Sequence, residues 1–499
     1  VLTTFVFKHA LIRDAAESML LRARRRELHD KIAGALEEHF PEVVNAQPEL
    51  IAYHCRGARN IVKTIRYLSI AAERALSRSA LKEAHAHITQ ALQLVAELPG
   101  DDERKQNELK LQVALARTLL EQKGYADPQV GEAYTQVRDF SQHLGNAEIH
   151  LAALYGLWAH HYISGRCATM LEQADRFLAF AQQQGETGSI VVGHRLVGTS
   201  RLILGRIADA NDALHQALLR YVPEEHRMDA GAKQSLRARF GQDLGVTLHC
   251  YRSWALWLSG HAAAAEKAAE AALERSEALE HDHQSRFYAL WHAGMACVLL
   301  RKVDRVAELG TLLTELAKDR ELPYWQALGC FLRAWHITRS DRPELAVELV
   351  QEGLQLWAQT GSRVFRPICL AFLGEAYGES GKPDFASQHF EEALQIAAET
   401  GERWAESEIY RLFGDLHSRY STADAAVAKY QQAIAVAQGQ GAKSFELRAS
   451  TSLARLLVRQ GRNSDAHSLL SSVYTKFDPG CETADLADAK ILLQATLTL

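Results

Sequence analysis

The chain has 499 residues, 47% of them hydrophobic, with 10 prolines and with 56 basic against 61 acidic side chains for a net charge of −5. That composition describes an ordered, helix-rich protein and excludes a disordered one, and its balanced charge gives no general attraction to nucleic acid or membrane. Seven cysteines, at 55, 167, 250, 297, 330, 369 and 481, are odd in number, scattered and never spaced C-x-x-C, which points to reduced thiols in a cytoplasmic protein and away from a disulfide framework or a zinc site.

Residues 3–7, Thr-Thr-Phe-Val-Phe, alternate in β-forming side chains and predict a strand; Lys8 to Leu36 then turn to helical spacing through Leu11, Ala15, Met19, Leu28, Ile32 and Leu36. Because the sequence opens within this strand, an N-terminal part is expected upstream of Val1. Residues 1–60 are therefore a stub unlike everything downstream. Its helix carries a basic cluster, Arg22, Arg24, Arg25 and Arg26, with Glu17, Glu27 and Asp30 close by. A basic run can hold phosphate or nucleic acid; here the cluster reads as a solvated face or an intramolecular contact first, then as a surface that docks against an upstream domain, and last as a nucleic-acid contact.

From Pro48 onward the sequence reads as amphipathic helices of about 12 to 18 residues, stopped by Gly or polar clusters. They phase as hairpins over 61–97, 106–145, 148–184, 188–221, 245–279, 285–319, 325–360, 365–400, 404–440 and 444–477. The organisation expected is N-terminal hairpins over 61–221, an insertion at 222–244 rich in charge and Gly, C-terminal repeats over 245–483, and a capping helix over 484–499. Insertions in helical repeats gather on one face, often the binding face.

The last four hairpins, 325–477, keep a strict period. Ala346, Ala386, Ala426 and Ala466 are 40 residues apart, and Ala334, Gly374, Gly414 and Ala454 keep the same step twelve residues upstream. Small residues at fixed phase let two helices approach closely, so these positions are assigned to repeat packing together with Tyr377, Phe390 and Tyr430. Thr360-Gly361, Thr400-Gly401 and Gln440-Gly441 repeat the step between hairpins. The pattern matches a tetratricopeptide unit, and the fold class expected is all-α, a right-handed superhelical solenoid of such hairpins behind a short strand and helix stub.

No motif for chemistry emerges. Gly378-Glu-Ser-Gly-Lys-Pro383 lacks the first Gly and final hydroxyl of a phosphate loop and falls at a helix-to-helix turn. His85-Ala-His87, His160-His161 and His281-Asp-His283 lack metal-ligand spacing on one helix face. No catalytic residue, cofactor-binding residue or metal ligand is assigned, and the chain reads as non-catalytic. Of eight tryptophans, Trp254, Trp257, Trp291, Trp325 and Trp335 fall in the middle of the array; each is either core or part of a concave groove that anchors a protein or peptide partner.

Several segments together resemble the C-terminal half of large bacterial signalling proteins that join a class III adenylate/guanylate cyclase domain, an AAA-like (STAND-type) ATPase and a tetratricopeptide array. They are Phe5-Val-Phe-Lys-His-Ala-Leu-Ile-Arg-Asp-Ala-Ala16, Arg25-Arg-Glu-Leu-His29, Lys123-Gly-Tyr125, Gly241-Gln-Asp-Leu-Gly-Val246, Gly401-Glu-Arg-Trp404, Tyr410-Arg-Leu412, Ala442-Lys-Ser-Phe-Glu-Leu-Arg448 and Ser452-Leu-Ala-Arg455, with the stretch from Phe477 to Lys490. The resemblance implies that residues 1–60 end a winged-helix element. It also implies that any ATP and Mg²⁺ chemistry belongs to upstream domains, and that this chain is a scaffold binding a protein or peptide and regulating the ATPase or cyclase module, with no nucleic acid or membrane partner. The alternative is the sensor or oligomerisation part of a large ATPase-type transcription regulator whose DNA-binding domain lies elsewhere. The final helix, with Asp485, Asp488 and the lone Lys490, is too poor in basic residues to read DNA.

Overall fold

A computed structural model of the chain describes residues 19–222, 236–279, 282–340, 342–478 and 480–498, and among these there are helices and turns but no strand. The strand expected at 3–7, most of the 222–244 insertion and His281 lie outside the described residues. Three helices come first, α1 (Arg22–His39), α2 (Pro41–Ala46) and α3 (Pro48–Gly57). Antiparallel pairs follow: α4 (Ile61–Ser77) with α5 (Leu81–Val95), α6 (Asp102–Lys123) with α7 (Pro128–His143), α8 (Ala147–Ile163) with α9 (Cys167–Gln184), and α10 (Thr187–Ile203) with α11 (Ile207–Arg220). After the short α12 (Leu236–Phe240) come α13 (Leu244–Leu258) with α14 (Ala262–Glu277), α15 (His283–Leu299) with α16 (Val303–Lys318), and α17 (Pro323–Ile337) with α18 (Glu344–Ala358). The last pairs are α19 (Arg366–Glu379) with α20 (Pro383–Thr400), α21 (Glu406–Tyr420) with α22 (Ala423–Gln440), and α23 (Lys443–Arg459) with α24 (Asn463–Tyr474), closed by α25 (Ala484–Thr498).

Local chemistry sets the helix ends. The side chains of Asn60, Asp101, Asp127, Asp243, Asp282 and Thr422 each accept a backbone N–H of the first turn, satisfying a donor that the helix itself leaves open. Prolines stand in the first turns of α2, α3, α7, α17, α19 and α20, where no N–H is lost.

The chain divides into two compact units, residues 1–153 and 154–499, and the division falls inside α8. In the first unit Ile51, Ile65, Leu68, Ile88 and Val95 form one core, while Leu109, Leu119, Val130 and Val137 form another.

In the second unit the periodic small residues sit where helices touch. Ala334, Ala346, Ala386, Ala426, Ala454 and Ala466 are completely buried. Gly374 and Gly414 make room for bulk: a Cβ would lie 3.0 Å from the Phe390 ring in the first case and 2.6 Å from the Tyr430 ring in the second. Where the first-helix position is Ala instead, the residue sixteen places on is aliphatic, Val350 or Leu470, so the volume at each crossing is conserved. Tyr377 lies in the same layer, stacked on His389 at 5.4 Å.

The second unit is also tied to itself over long sequence distances. The Ile163 carbonyl, at the end of α8, accepts from the Arg363 amide at 2.8 Å, and the Ile203 carbonyl, at the end of α10, accepts from the Arg403 and Trp404 amides at 2.8 and 3.2 Å. At the end of α13, the Trp257 carbonyl accepts from the Ser444 hydroxyl at 2.5 Å, and the Leu299 carbonyl ending α15 accepts from the Arg448 guanidinium. Four consecutive first helices thus have a carbonyl end covered by later repeats. Gly165 makes one of these approaches possible: its φ is +67°, and a Cβ would stand 3.1 Å from both Arg363 Cβ and Thr400 Cγ2.

Two glycines of one hairpin separate packing from propensity. Gly414→Ala pushes a methyl into the Tyr430 ring, whose hydroxyl is anchored on Asp415 at 2.7 Å, and is expected to cost about 1–3 kcal/mol. Gly439→Ala, on the exposed side of α22 with nothing within 4 Å of the new methyl, is expected to stabilise by about 0.5–1 kcal/mol. Thermal midpoints of the two variants should move in opposite directions.

Candidate functional site

The returning repeats fill the concave side of α8, α10, α13 and α15 with aromatic side chains. The Phe365 ring lies 6.2 Å from Tyr162, 5.6 Å from Trp254 and 5.6 Å from Trp291, and Trp254 is 4.9 Å from Trp404. Trp257 packs on Phe445 at 5.2 Å, and Trp325 stacks on Phe287 at 5.8 Å. All five tryptophans considered for a partner groove, Trp254, Trp257, Trp291, Trp325 and Trp335, are buried. Later repeats cover Trp254, Trp257 and Trp291, and Trp325 packs against Phe287 and Tyr288 of the preceding hairpin. Trp335 borders a cavity.

That cavity, of about 460 Å³, lies between α15, the first helices α17, α19, α21 and α23, and α25. Its wall mixes charged and apolar side chains: Arg301, Arg339, Arg411, Arg448 and Arg455 face Glu375, Glu408, Asp415, Asp485 and Asp488, and Trp335, Phe372 and Trp404 are among the apolar residues beside them. The charges are paired in series. Arg339 meets Glu375 at 2.8 Å, and Arg411 meets Glu408 at 2.8 Å and Asp415 at 2.5 Å. Arg448 meets Asp485 at 2.9 Å, Arg301 meets Asp488 at 2.9 Å, and Arg455 reaches the same Asp488 at 2.9 Å. Cation–π contacts hold two of the guanidiniums further, Arg339 3.7 Å from the Trp335 ring centre and Arg448 4.6 Å from that of Trp257.

Burial alone would raise the Glu408 carboxyl, but Arg411 and Arg448 outweigh it and hold the group at about 2. Burial wins at Glu375, which is raised despite Arg339 and Arg411. Glu402, behind the cavity, is 2% exposed and accepts the Phe365 amide at 2.8 Å and the Trp404 indole N–H at 3.1 Å. No cation offsets its desolvation, and burial pushes it up to about 7. The first of these bonds is made by Phe365 at a φ of +67°, a left-handed backbone that a non-glycine residue adopts at a cost.

Sequence patterning did not single out these charged residues, although a signal existed. Arg339, Glu375, Arg411, Arg448 and Asp485 recur at steps of 36 or 37 residues, one at or next to each successive first helix. Of the arginines considered for interdomain docking, Arg24 pairs with Glu27 at 2.7 Å and Arg26 donates to the Ala58 carbonyl at 2.8 Å, while Arg22 and Arg25 border a separate cleft with Arg26. No group of His, Cys, Asp and Glu among the described residues could hold a metal ion, and no described helix is long and apolar enough to cross a membrane.

Packed helical pairs with small residues at the crossings define a tetratricopeptide-like helical scaffold. No family model matches the chain. It is 23% identical over 382 residues to an uncharacterized protein of Rhizobium meliloti (strain 1021), a match covering 76% of this chain and 36% of that protein. Among solved structures it is similar to a Rap protein complexed with competence and sporulation factor (14% identity, 70% of this chain, 98% of that chain, TM-score 0.44). It is also similar to human IFIT1 (15%, 87% and 90%, 0.41) and yeast Tom70 (13%, 94% and 96%, 0.32).

Two consequences can be measured. Arg448→Met strips one of two cationic partners from Asp485, the cap from Leu299 and one of the cations near buried Glu408, and is expected to cost about 3–5 kcal/mol by chemical denaturation. Glu402 titrates higher in the folded chain than the 4.5 usual for a glutamate, so its neutral form favours folding. That contribution is complete below pH 4.5 and is lost as pH rises through about 7, amounting to on the order of 3 kcal/mol. The stability of the native chain relative to Glu402→Gln is therefore expected to fall across that window, read from thermal midpoints at each pH.

Proposed function

We propose that this chain is a non-catalytic scaffold that takes a segment of a protein partner into the charged cavity between α15 and α25, and that it thereby regulates an ATPase or nucleotide cyclase module carried on the same polypeptide. The observation that supports this reading is the cavity wall. Five arginines and five carboxylates line it in alternation, a surface suited to exchanging its internal ion pairs for those of a peptide carrying both signs of charge. Hydrophobic groove binding is less well supported, because the aromatic side chains are mostly consumed by internal packing.

α25 carries the switch in this reading. Its Asp485 and Asp488 lie on the cavity wall and pair with Arg301, Arg448 and Arg455, while Leu486 and Ala489 sit in the core formed with Leu453, Leu457 and Leu470. A partner carboxylate that took Arg301 or Arg455 would compete with α25 for its anchors. Regulation of the upstream module, with its ATP and Mg²⁺, would follow if the two states of that module bind the scaffold differently. The matched share of the Rhizobium meliloti protein, 36% of its length, is consistent with a larger parent.

Nucleotide turnover by the full-length parent, measured with and without residues 61–499, tests the regulatory part: a changed rate is expected. Arg455→Glu, at the half-exposed rim of the cavity, is expected to reproduce the effect of the deletion with little change in thermal midpoint. Identical turnover in all three proteins would overturn the proposal.

A further inference from the structure

A second charged site lies in the first unit and is built differently. The start of α1 and the end of α3 enclose a cleft of about 620 Å³ lined by Arg22, Arg25, Arg26, Arg56 and Arg59, with no carboxylate among the described residues of its wall. In the 460 Å³ cavity every arginine of the wall meets an acid; here, among the described residues, none of the five does. Glu27 is turned away and shared by Arg24 and Lys31 at 2.7 Å each.

The cleft has a defined frame. The Arg26 Nε is fixed on the Ala58 carbonyl at 2.8 Å. Gly57 allows the His29 ring to form the floor, since a Cβ at 57 would come within 2.5 Å of it. Arg59 stands at a left-handed turn position, φ +61°, that glycine fills in other hairpins, as at Gly165, Gly205 and Gly461. Arg301 occupies the same kind of position with φ +59°, and there the guanidinium is taken up by Asp485 and Asp488. Arg59 has no such internal anion among the described residues.

We propose that this cleft binds a compact polyphosphate group. Guanidinium forks match phosphate oxygens two at a time, and five of them in so small a volume repel one another until a ligand of several negative charges enters. A triphosphate concentrates that charge within the cleft. An acidic peptide does not, because successive side chains of an extended chain point to opposite sides and only part of its charge can face one wall.

Isothermal titration of the full chain with inorganic tripolyphosphate and with ATP tests the assignment. Saturable binding is expected, weakening steeply between about 50 and about 200 mM salt. Arg56→Gln and Arg59→Gln are each expected to lose about tenfold in affinity, while Arg455→Gln, on the cavity of the other unit, loses none. Equal affinities for the two ligands would identify the phosphate chain alone as the recognised group, and tighter ATP binding would identify a nucleotide; both support the proposal. Should Arg59→Gln shift the thermal midpoint, Arg22→Gln at the exposed start of α1 replaces it. Absence of saturable binding, affinity untouched by the arginine variants, or tighter binding of a hexaglutamate peptide than of tripolyphosphate would each overturn it.

Discussion

Helix ends that meet far along the chain hold the second unit together. The last carbonyls of an α-helix have no partner within the helix and carry its negative dipole end, so burying them requires donors from elsewhere. For α8, α10, α13 and α15 the donors are the Arg363, Arg403 and Trp404 amides, the Ser444 hydroxyl and the Arg448 guanidinium, which arrive 149 to 201 residues later. Each bond is modest, about 0.5–1.5 kcal/mol net. Their value lies in what they permit, which is the burial of Tyr162, Trp254, Trp257, Trp291, Phe365 and Trp404 against one another.

Closure decides where function can be. A helical-repeat array ordinarily offers its concave face to a partner, but in this unit the concave face of the early hairpins is spent on the chain itself. The cavity among α15, α17, α19, α21, α23 and α25 remains, and its wall carries paired charges beside apolar side chains. The pairs sit at the limit where desolvation and attraction compete, with Glu408 held charged by Arg411 and Arg448 and with Glu375 and Glu402 raised by burial. Such a wall favours specificity over raw affinity, because a ligand must return to each charge the partner it displaces.

Much of the architecture was legible from spacing alone. The small residues at 334, 374, 414 and 454 mark helix crossings because volume is conserved there, and the Gly or Asp signals mark helix ends because backbone groups must be satisfied. The division at 153/154 was not legible, since it follows contacts and not a composition shift. Nor was the fate of the tryptophans: an aromatic residue in a first helix reads the same whether it faces a groove or a returning repeat. Thr400-Gly401 and Gln440-Gly441 were visible as a 40-residue step, yet their role at the long-range contacts depends on Gly165 and Gly205, far away in sequence. A Cβ at Gly165 would meet Thr400, and one at Gly205 would meet the Gln440 side chain. The charge ladder at 339, 375, 411, 448 and 485 escaped notice because its steps of 36 and 37 residues differ from the 40-residue step of the packing positions.

The self-closure is tested most directly by amide hydrogen exchange at residues 363, 403 and 404. These positions lie between helices, where amides exchange readily unless something holds them. Bonded to the Ile163 and Ile203 carbonyls, they should be protected to the degree of neighbouring helix interiors, and Gly165→Val should release residue 363 ahead of the helices around it. Exchange at 363, 403 and 404 as fast as at the exposed turn around Gly381 would contradict the closure, and with it the assignment of the ionic cavity as the open concave site.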